Sequence, residues 1–325
     1  MLLGMHSPPP RNGLFASRIQ LPAGPWGTVL DALAAQFPSV TPADWHSRFE
    51  RELVLDQAGQ PLRANHPYQV GQLIHYYREV PNEVPVPFQA KVLYADTHLV
   101  VADKPHFLPV TPAGSYVQET LLTRLTQQLD NPELVPLHRL DRSTAGLVMF
   151  SAQASSRAHY QALFRERRIE KHYEALAAPL PQQTFPLVHR SRLQTGEPFF
   201  RMQEVIGPAN SETVVTVLQQ GSACWRYGLQ AVTGKKHQLR VHMAALGAAI
   251  LNDDFYPVLS RRDADDFSLP LQLLARSLRF TDPLTGQTRY FESEQRLPDC
   301  IGSSMAAASK DAVRTMTLSP SAMDC

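Results

Sequence analysis

The sequence predicts an α+β fold: a largely antiparallel mixed sheet with flanking helices, preceded by a small N-terminal α/β module. Three observations lead there. Strand-like and helix-spaced runs follow one another between residues 91 and 298 without the regular βα alternation of a doubly wound sheet. The run Leu147-Val148-Met149-Phe150-Ser151 has the length and branching of a buried strand. A proline-punctuated stretch, Val80 to Pro87, separates an upstream unit from that core.

Taken in order, residues 1–23 are expected to be disordered or extended, and the module covers 24–82. Its first helix is the apolar stretch Val29 to Phe37. Its second is entered by Thr41-Pro42-Ala43-Asp44: Thr41 caps, Pro42 takes the first helical position, and Asp44 completes a capping box. Short strands follow around Leu53–Leu55 and Gln72–Tyr77, with a turn at Gly59. Residues 83–90 are expected to be a linker. In the 91–298 unit, Val92 to Lys104 reads as two short β runs about an Asp96-Thr97 turn. Helices are expected over Ser115–Leu129 and Ala154–Arg168, and strand character over Tyr173–Ala177 and Thr213–Val232. Lys235 to Leu246 has helical spacing and is closed by Gly247. Residues 299–325, low in large apolar groups, are expected to form a disordered tail.

With 325 residues, 43% of them apolar, the chain can bury one large core or two smaller ones. Its net charge of +1 gives no overall electrostatic footprint for a polyanion, so any such surface must be local. The three cysteines, Cys224, Cys300 and Cys325, are scattered and form no CxxC; read as free thiols, they fit a reducing cytoplasm. The proline-rich start does not read as a secretory signal, and no apolar run reaches the length of a membrane span. A cytoplasmic, monomeric protein is the expectation. There is no GxGxxG and no P-loop, and His237 and His242 with Asp253 and Asp254 match no metal-binding spacing, so neither a nucleotide cofactor nor a metal is expected.

The stretch richest in chemistry is His138-Arg139-Leu140-Asp141-Arg142-Ser143-Thr144-Ala145-Gly146. It sets a carboxylate between two arginines in a turn that feeds the apolar strand. Arginines so placed lower a carboxylate's pKa and keep it ionised beside an apolar core. From the residues alone, a salt-bridged surface turn is the commoner outcome.

The nonapeptide resembles the HRLDxxTSG signature of RluA-type RNA pseudouridine synthases, with Ala145 where Ser is usual. Four further blocks follow in the family's order. Asp103-Lys104-Pro105 with Leu108-Pro109-Val110 resembles DKPxGLxVH, with Phe107 and Thr111 as departures. Arg165 to Leu176 resembles FRxRxVxKxYxAL. Thr233 to His242 resembles TGRxHQLRVH, with Lys235 for Arg. Leu271 to Pro283 resembles LxLHAxxLxFxHP, with Leu274 and Asp282 replacing two histidines. The resemblance covers about residues 90–292. The helix, helix, hairpin order of 24–82 also resembles an S4-type RNA-binding module, but Arg48, Arg51 and Arg63 are balanced there by Asp44, Glu50, Glu52 and Asp56. An accessory domain that no longer binds RNA fits equally well.

The resemblance implies an isomerase that turns uridine into pseudouridine in structured RNA: the N1–C1′ bond breaks, the uracil rotates, and C5 bonds to C1′. The change is redox-neutral, so it asks for no cofactor. It implies Asp141 as the catalytic carboxylate, Arg240 as its cationic partner, and Tyr173 as the ring that stacks on uracil, with its hydroxyl near the C5 proton. It implies RNA contacts from His138, Arg139, Arg142, Thr144, Arg165, Arg167, Arg168, Lys171, Lys235, His237 and Gln238, two local basic stretches that the net charge conceals. Large-subunit ribosomal RNA is the first expected target and transfer RNA the alternative. A non-catalytic RNA-binding protein would explain the departures, but it would not need Asp141, Tyr173 and Arg240 all intact.

Overall fold

The structure is a computed structural model that describes residues 8–260 and 262–300. The N-terminal unit contains β1 (Ser17–Gln20), α1 (Val29–Gln36), α2 (Pro42–Glu50), β2 (Val54–Leu55) and β3 (Leu73–Tyr76). Its strands form an antiparallel sheet in the order β1-β3-β2. Both helices start in capping boxes, Thr28 with Asp31 and Thr41 with Asp44, and Pro42 takes the first turn of α2 as its missing N–H allows. The helices close over Leu33, Trp45 and Ile74, which are fully buried. One boundary is corrected. Residues 17–20, expected to be disordered or extended, supply β1, because their backbone completes the free edge of β3.

The larger unit contains β4 (Lys91–Ala95), β5 (Leu99–Lys104), α3 (Leu121–Gln128), β6 (Val135–Pro136), β7 (Ala145–Ser151), α4 (Arg157–Arg165), β8 (Ile169–Ala177), β9 (Leu187–Thr195), β10 (Met202–Val205), β11 (Ser211–Gln220), β12 (Trp225–Ala231), α5 (Gln238–Ala245), β13 (Leu273–Thr281) and β14 (Thr288–Glu292). Its sheet runs β10-β9-β11-β12-β8-β13-β7-β5-β4, with β14 on β13 and β6 on β7. Among the described residues, parallel pairing is confined to β7 and β13, so the sheet is mixed but mostly antiparallel, as expected. β8 lies between β12 and β13 at the centre, and β7 is buried along its whole length.

Two other expectations change. α3 begins at Leu121 rather than Ser115: the Thr120 hydroxyl accepts from Thr123 N, and the chain ahead of it is held non-helical by Glu83, whose carboxylate accepts from the N–H groups of Val117, Gln118 and Glu119. The 83–90 segment is therefore docked on the core rather than a free linker, with Val86 buried. Most of the expected tail, residues 301–325, lies outside the described residues, as does the start of the chain through Ser7.

Candidate active site

The Asp141 turn is positioned from below. The Lys104 ammonium, fully buried at the end of β5, donates to the carbonyls of Pro105 (3.0 Å), Leu108 (2.8 Å) and Arg142 (3.2 Å). His106 Nδ1 lies 2.8 Å from the carbonyl of Ser143. Asp141 is thus fixed at the entrance to β7, and Thr144 N closes the turn on its carbonyl at 3.1 Å.

Across the cavity, α5 brings Arg240. Its Nη1 donates to Asp141 Oδ2 at 3.1 Å, while Nε and Nη2 form a fork on Asp253 at 2.8 and 2.7 Å. The guanidinium sits 4.8 Å from the Phe255 ring centroid and 5.4 Å from that of Tyr256. His237 Nε2 is 3.7 Å from Asp141 Oδ1, and its Nδ1 meets the Tyr256 hydroxyl at 2.9 Å. Burial pushes the Asp141 carboxyl up, but the attraction of His237 and Arg240 and the hydrogen bond from Arg240 outweigh it, so the net shift is downward. Burial also drives His237 itself down to about 4, so at neutral pH that imidazole is uncharged. Arg240 is then the cation that keeps Asp141 ionised.

Tyr173, in the middle of β8, faces the same cavity of about 210 Å³, whose apolar wall includes Leu140, Leu239 and Leu273. Burial first, and then the Asp141 charge, push its phenol up. It is a protonated ring at neutral pH, not a standing phenolate base. The cavity can hold a planar base against an aromatic face, next to an ionised carboxylate.

The expected site residues divide into three groups. Asp141, Thr144, Tyr173, Lys171, Lys235, His237, Gln238, Arg240 and Arg139 line the cavity. Of these, Gln238 is spent on the fold: its amide bonds Thr233 Oγ1, Lys235 N, Glu212 O and Thr213 Oγ1 and shapes the 233–238 turn. A second group does not face the cavity. His138 accepts from Met149 N at 3.1 Å and stacks on Phe164; burial, with Lys171, drives it down to about 3, so it is a neutral structural acceptor. Arg142 turns the other way from Asp141, over Tyr116 and Phe107, and donates to Ala264 O. Asp141 is therefore not clasped by both flanking arginines; only Arg139 remains on its side, at the rim. The third group is the exposed face at the end of α4, where Arg165 and Arg168 share Glu166 and the exposed Arg167 lies between them in the chain. His242, the last residue of the Thr233–His242 block, is wholly buried beneath α5.

Sequence reasoning missed three contributors. Asp253 accepts both arms of the Arg240 fork and the N–H groups of Phe255 and Tyr256. Its signal was a second acidic residue beside apolar aromatics, which spacing cannot connect to Arg240. Tyr256 holds His237 through a long-range contact with no sequence trace. Lys104 had a legible signal: a lysine at the end of a buried strand just before Pro105 needs acceptors for its charge.

The cavity thus sets a carboxylate beside an aromatic ring, with Lys171, Lys235 and Lys236 around it. Comparison with known proteins names the family. The sequence model of RNA pseudouridylate synthase matches residues 98–245. The dual-specificity RNA pseudouridine synthase RluA of Haemophilus influenzae is 32% identical over 206 residues, covering 62% of this chain and 92% of that protein. An uncharacterised RNA pseudouridine synthase of Synechocystis is 30% identical over 217 residues, covering 65% and 73%. The solved structure of human RNA pseudouridylate synthase domain containing 4 superposes with a TM-score of 0.50 at 26% identity, covering 64% of this chain and 88% of that one. The chain belongs to the RluA family of RNA pseudouridine synthases, and is an isomerase. The family match begins at residue 98 and gives the 24–82 unit no standing as an S4-type module. No helix among the described residues is long and apolar enough to cross a membrane.

Proposed function

We propose that Asp141 is the carboxylate that acts at C1′ of a uridine flipped into the cavity, either by attacking C1′ or by taking the 2′ proton. The observation that carries this reading is the Arg240–Asp141 contact at 3.1 Å at the floor of the cavity, which keeps the carboxylate ionised where a bare charge would be costly. Tyr173 stacks on the uracil. Its protonated phenol takes part at C5 only by passing on its own proton as it receives the carbon-bound one. Thr144 and His237 border the sugar, and Arg139, Lys171 and Lys235 meet the phosphates beside it. The exposed Arg165, Arg167 and Arg168 extend that track, so both basic stretches serve one RNA.

Large-subunit ribosomal RNA is the proposed target, with transfer RNA as a second. The dual-specificity relatives support more than one RNA substrate. The 91–298 unit is the catalytic domain, and the upstream unit is an accessory domain without a basic face. The test is Asp141→Asn in the full-length chain. Pseudouridine formation on ribosomal and transfer RNA should vanish, while the melting curve and RNA affinity stay close to wild type, because the amide keeps the shape and loses the reactive charge. Substantial turnover by a properly folded Asp141→Asn protein would sink the assignment. Mapping pseudouridine in cells with and without the gene would identify the RNA.

A further inference from the structure

The other face of α5 carries a second cluster. α5 lies across β9, β10 and β11. Along β9, Val188, Arg190 and Arg192 face solvent, while His189, Ser191 and Leu193 turn inward. The register sets His189 opposite Thr213 and Ser191 opposite Ser211 on β11, and Leu193 opposite Glu204 on β10. His242 descends from α5 into this pocket. Three elements thereby bring one atom each from His189, Glu204 and His242 within 4.8 Å of one another. His189 Nε2 is 2.8 Å from Glu204 Oε1, and His242 Nε2 is 3.9 Å from that same oxygen. A tetrahedral Zn²⁺ with bonds of about 2.0–2.1 Å sets its ligand atoms about 3.4 Å apart. The two observed separations bracket that spacing.

The hydrogen bonds around His242 are compatible with a ligand. Gln238 Nε2 donates to Thr213 Oγ1 at 2.9 Å, which leaves that oxygen a lone pair to accept from His242 Nδ1, also at 2.9 Å. In the tautomer with Nδ1 donating to Thr213, the Nε2 lone pair faces His189 and Glu204. This is how metal-bound histidines are oriented by their outer partners. Two hydroxyls lie near Nε2, those of Ser191 (3.1 Å) and Ser211 (3.0 Å). The Ser211 hydrogen is spent on the Ser191 carbonyl at 2.8 Å, so Ser211 Oγ accepts when Nε2 carries the proton, and a cation would take that proton's place on Nε2. The His189 and Glu204 side chains are 20% and 26% exposed, which leaves one side open to water.

We propose that His189, Glu204 and His242 bind one divalent cation of the Zn²⁺ type, with water in the fourth position. Two imidazoles and one carboxylate suit such an ion and suit neither Ca²⁺ nor Mg²⁺, which take oxygen sets. The ion clamps α5 to the β9–β10 hairpin. Because α5 also carries Arg240, it steadies the helix that holds Asp141 and Asp253 without touching the reacting atoms. The ligands come from three separated elements, so no motif spacing announces them.

The test uses the full-length protein, stripped with a chelator and titrated with Co²⁺ and then Zn²⁺. One equivalent of Co²⁺ should give the visible spectrum of a four-coordinate ion, and Zn²⁺ should displace it. His189→Asn and Glu204→Gln lie on the open side, where the fold tolerates them. Each should weaken binding by at least about 100-fold, since loss of a direct ligand exceeds the 10–100-fold effect of an outer-shell change. Zn²⁺ should raise the melting temperature of wild type and of neither variant. Absence of binding, or equal binding by wild type and both variants, overturns the proposal. So does binding that survives in both variants and disappears when Cys224, Cys300 and Cys325 are alkylated, which assigns the ion to thiols.

Discussion

At the scale of single residues, the site depends on one guanidinium serving two carboxylates. Arg240 and Asp253 are almost fully buried, and Asp141 reaches solvent only through the substrate cavity. Arg240→Leu strands both charges, and breaking a buried pair in this way costs about 3–5 kcal/mol. Denaturant unfolding at neutral pH should show that loss. Arg240→Lys should recover only part of it, because a point charge cannot form the fork on Asp253 and still reach Asp141. A wild-type unfolding curve for Arg240→Leu would mean that Arg240 neutralises nothing. The pH dependence has a defined sign. Asp141 has a folded pKa below its ordinary 3.8, so its contribution is complete above 3.8 and is lost as pH falls through the lower folded value. His237 acts in a higher window. The unfolded side chain takes its proton near 6.5 and the folded one only near 4, so stability falls as pH drops from 6.5 to 4. His237→Gln should flatten the stability profile between those values by about 1.4 kcal/mol per pH unit, the weight of one proton, and leave it unchanged above pH 7.5 or so. An unaltered slope would show that another group titrates there.

At the scale of elements, the junction of β7 and β13 is the least tolerant point of the fold. Gly146 has φ +111°, and a Cβ there would stand 2.3 Å from the Ala275 carbonyl oxygen, in the parallel pair that sets the Asp141 turn against β13. Gly146→Ala should cost about 3 kcal/mol or more, by strain plus backbone clash. Gly247→Ala, at φ +84° but with open space around it, should cost about 1 kcal/mol, the price of a left-handed conformation alone. Equal losses in thermal unfolding would show that the close approach at Ala275 relaxes freely. Legibility differed between elements for reasons of the same kind. The two capped helices of the N-terminal unit, the Asp96 turn and the apolar β7 were readable because local chemistry fixes them. β9, β10, β13 and β14 were not read as strands. β9 points His189 and Ser191 inward, so its alternation is polar on both faces, and in β13 the motif, not a strand-like alternation, is what the sequence displays. Asp141, Tyr173 and Arg240 were found through their motifs and do meet in one cavity. Asp253, Tyr256 and the inward turn of His138 were not, because only the three-dimensional path of the chain sets their partners.

At the scale of the whole molecule, a net charge of +1 hides an uneven distribution, and RNA affinity should follow the local charge. In the upstream unit, Arg48 and Arg51 both face Glu79, with Arg51 Nη1 at 2.6 Å, so little free positive charge is left there. Beside the cavity, Lys171, Lys235 and Lys236 line the rim, and the exposed end of α4 adds Arg165, Arg167 and Arg168. Glu166 offsets part of the last group, yet its bonds to Arg165 and Arg168 are exposed and exchange readily for phosphate. Each phosphate contact on single-stranded RNA contributes about 0.7 to the log–log salt slope. Replacing Arg165, Arg167 and Arg168 together by Ala should therefore lower the magnitude of that slope by about 2 and weaken binding by a large factor, with little dependence on RNA sequence. Arg51→Ala with Arg63→Ala, which leaves the docked segments of the upstream unit intact, should change the slope by much less. Both sets of variants can be compared by fluorescence anisotropy across a salt series on one stem-loop. If the upstream pair flattens the slope and the α4 triple does not, the RNA crosses the N-terminal unit, and that unit is a working RNA-binding module after all.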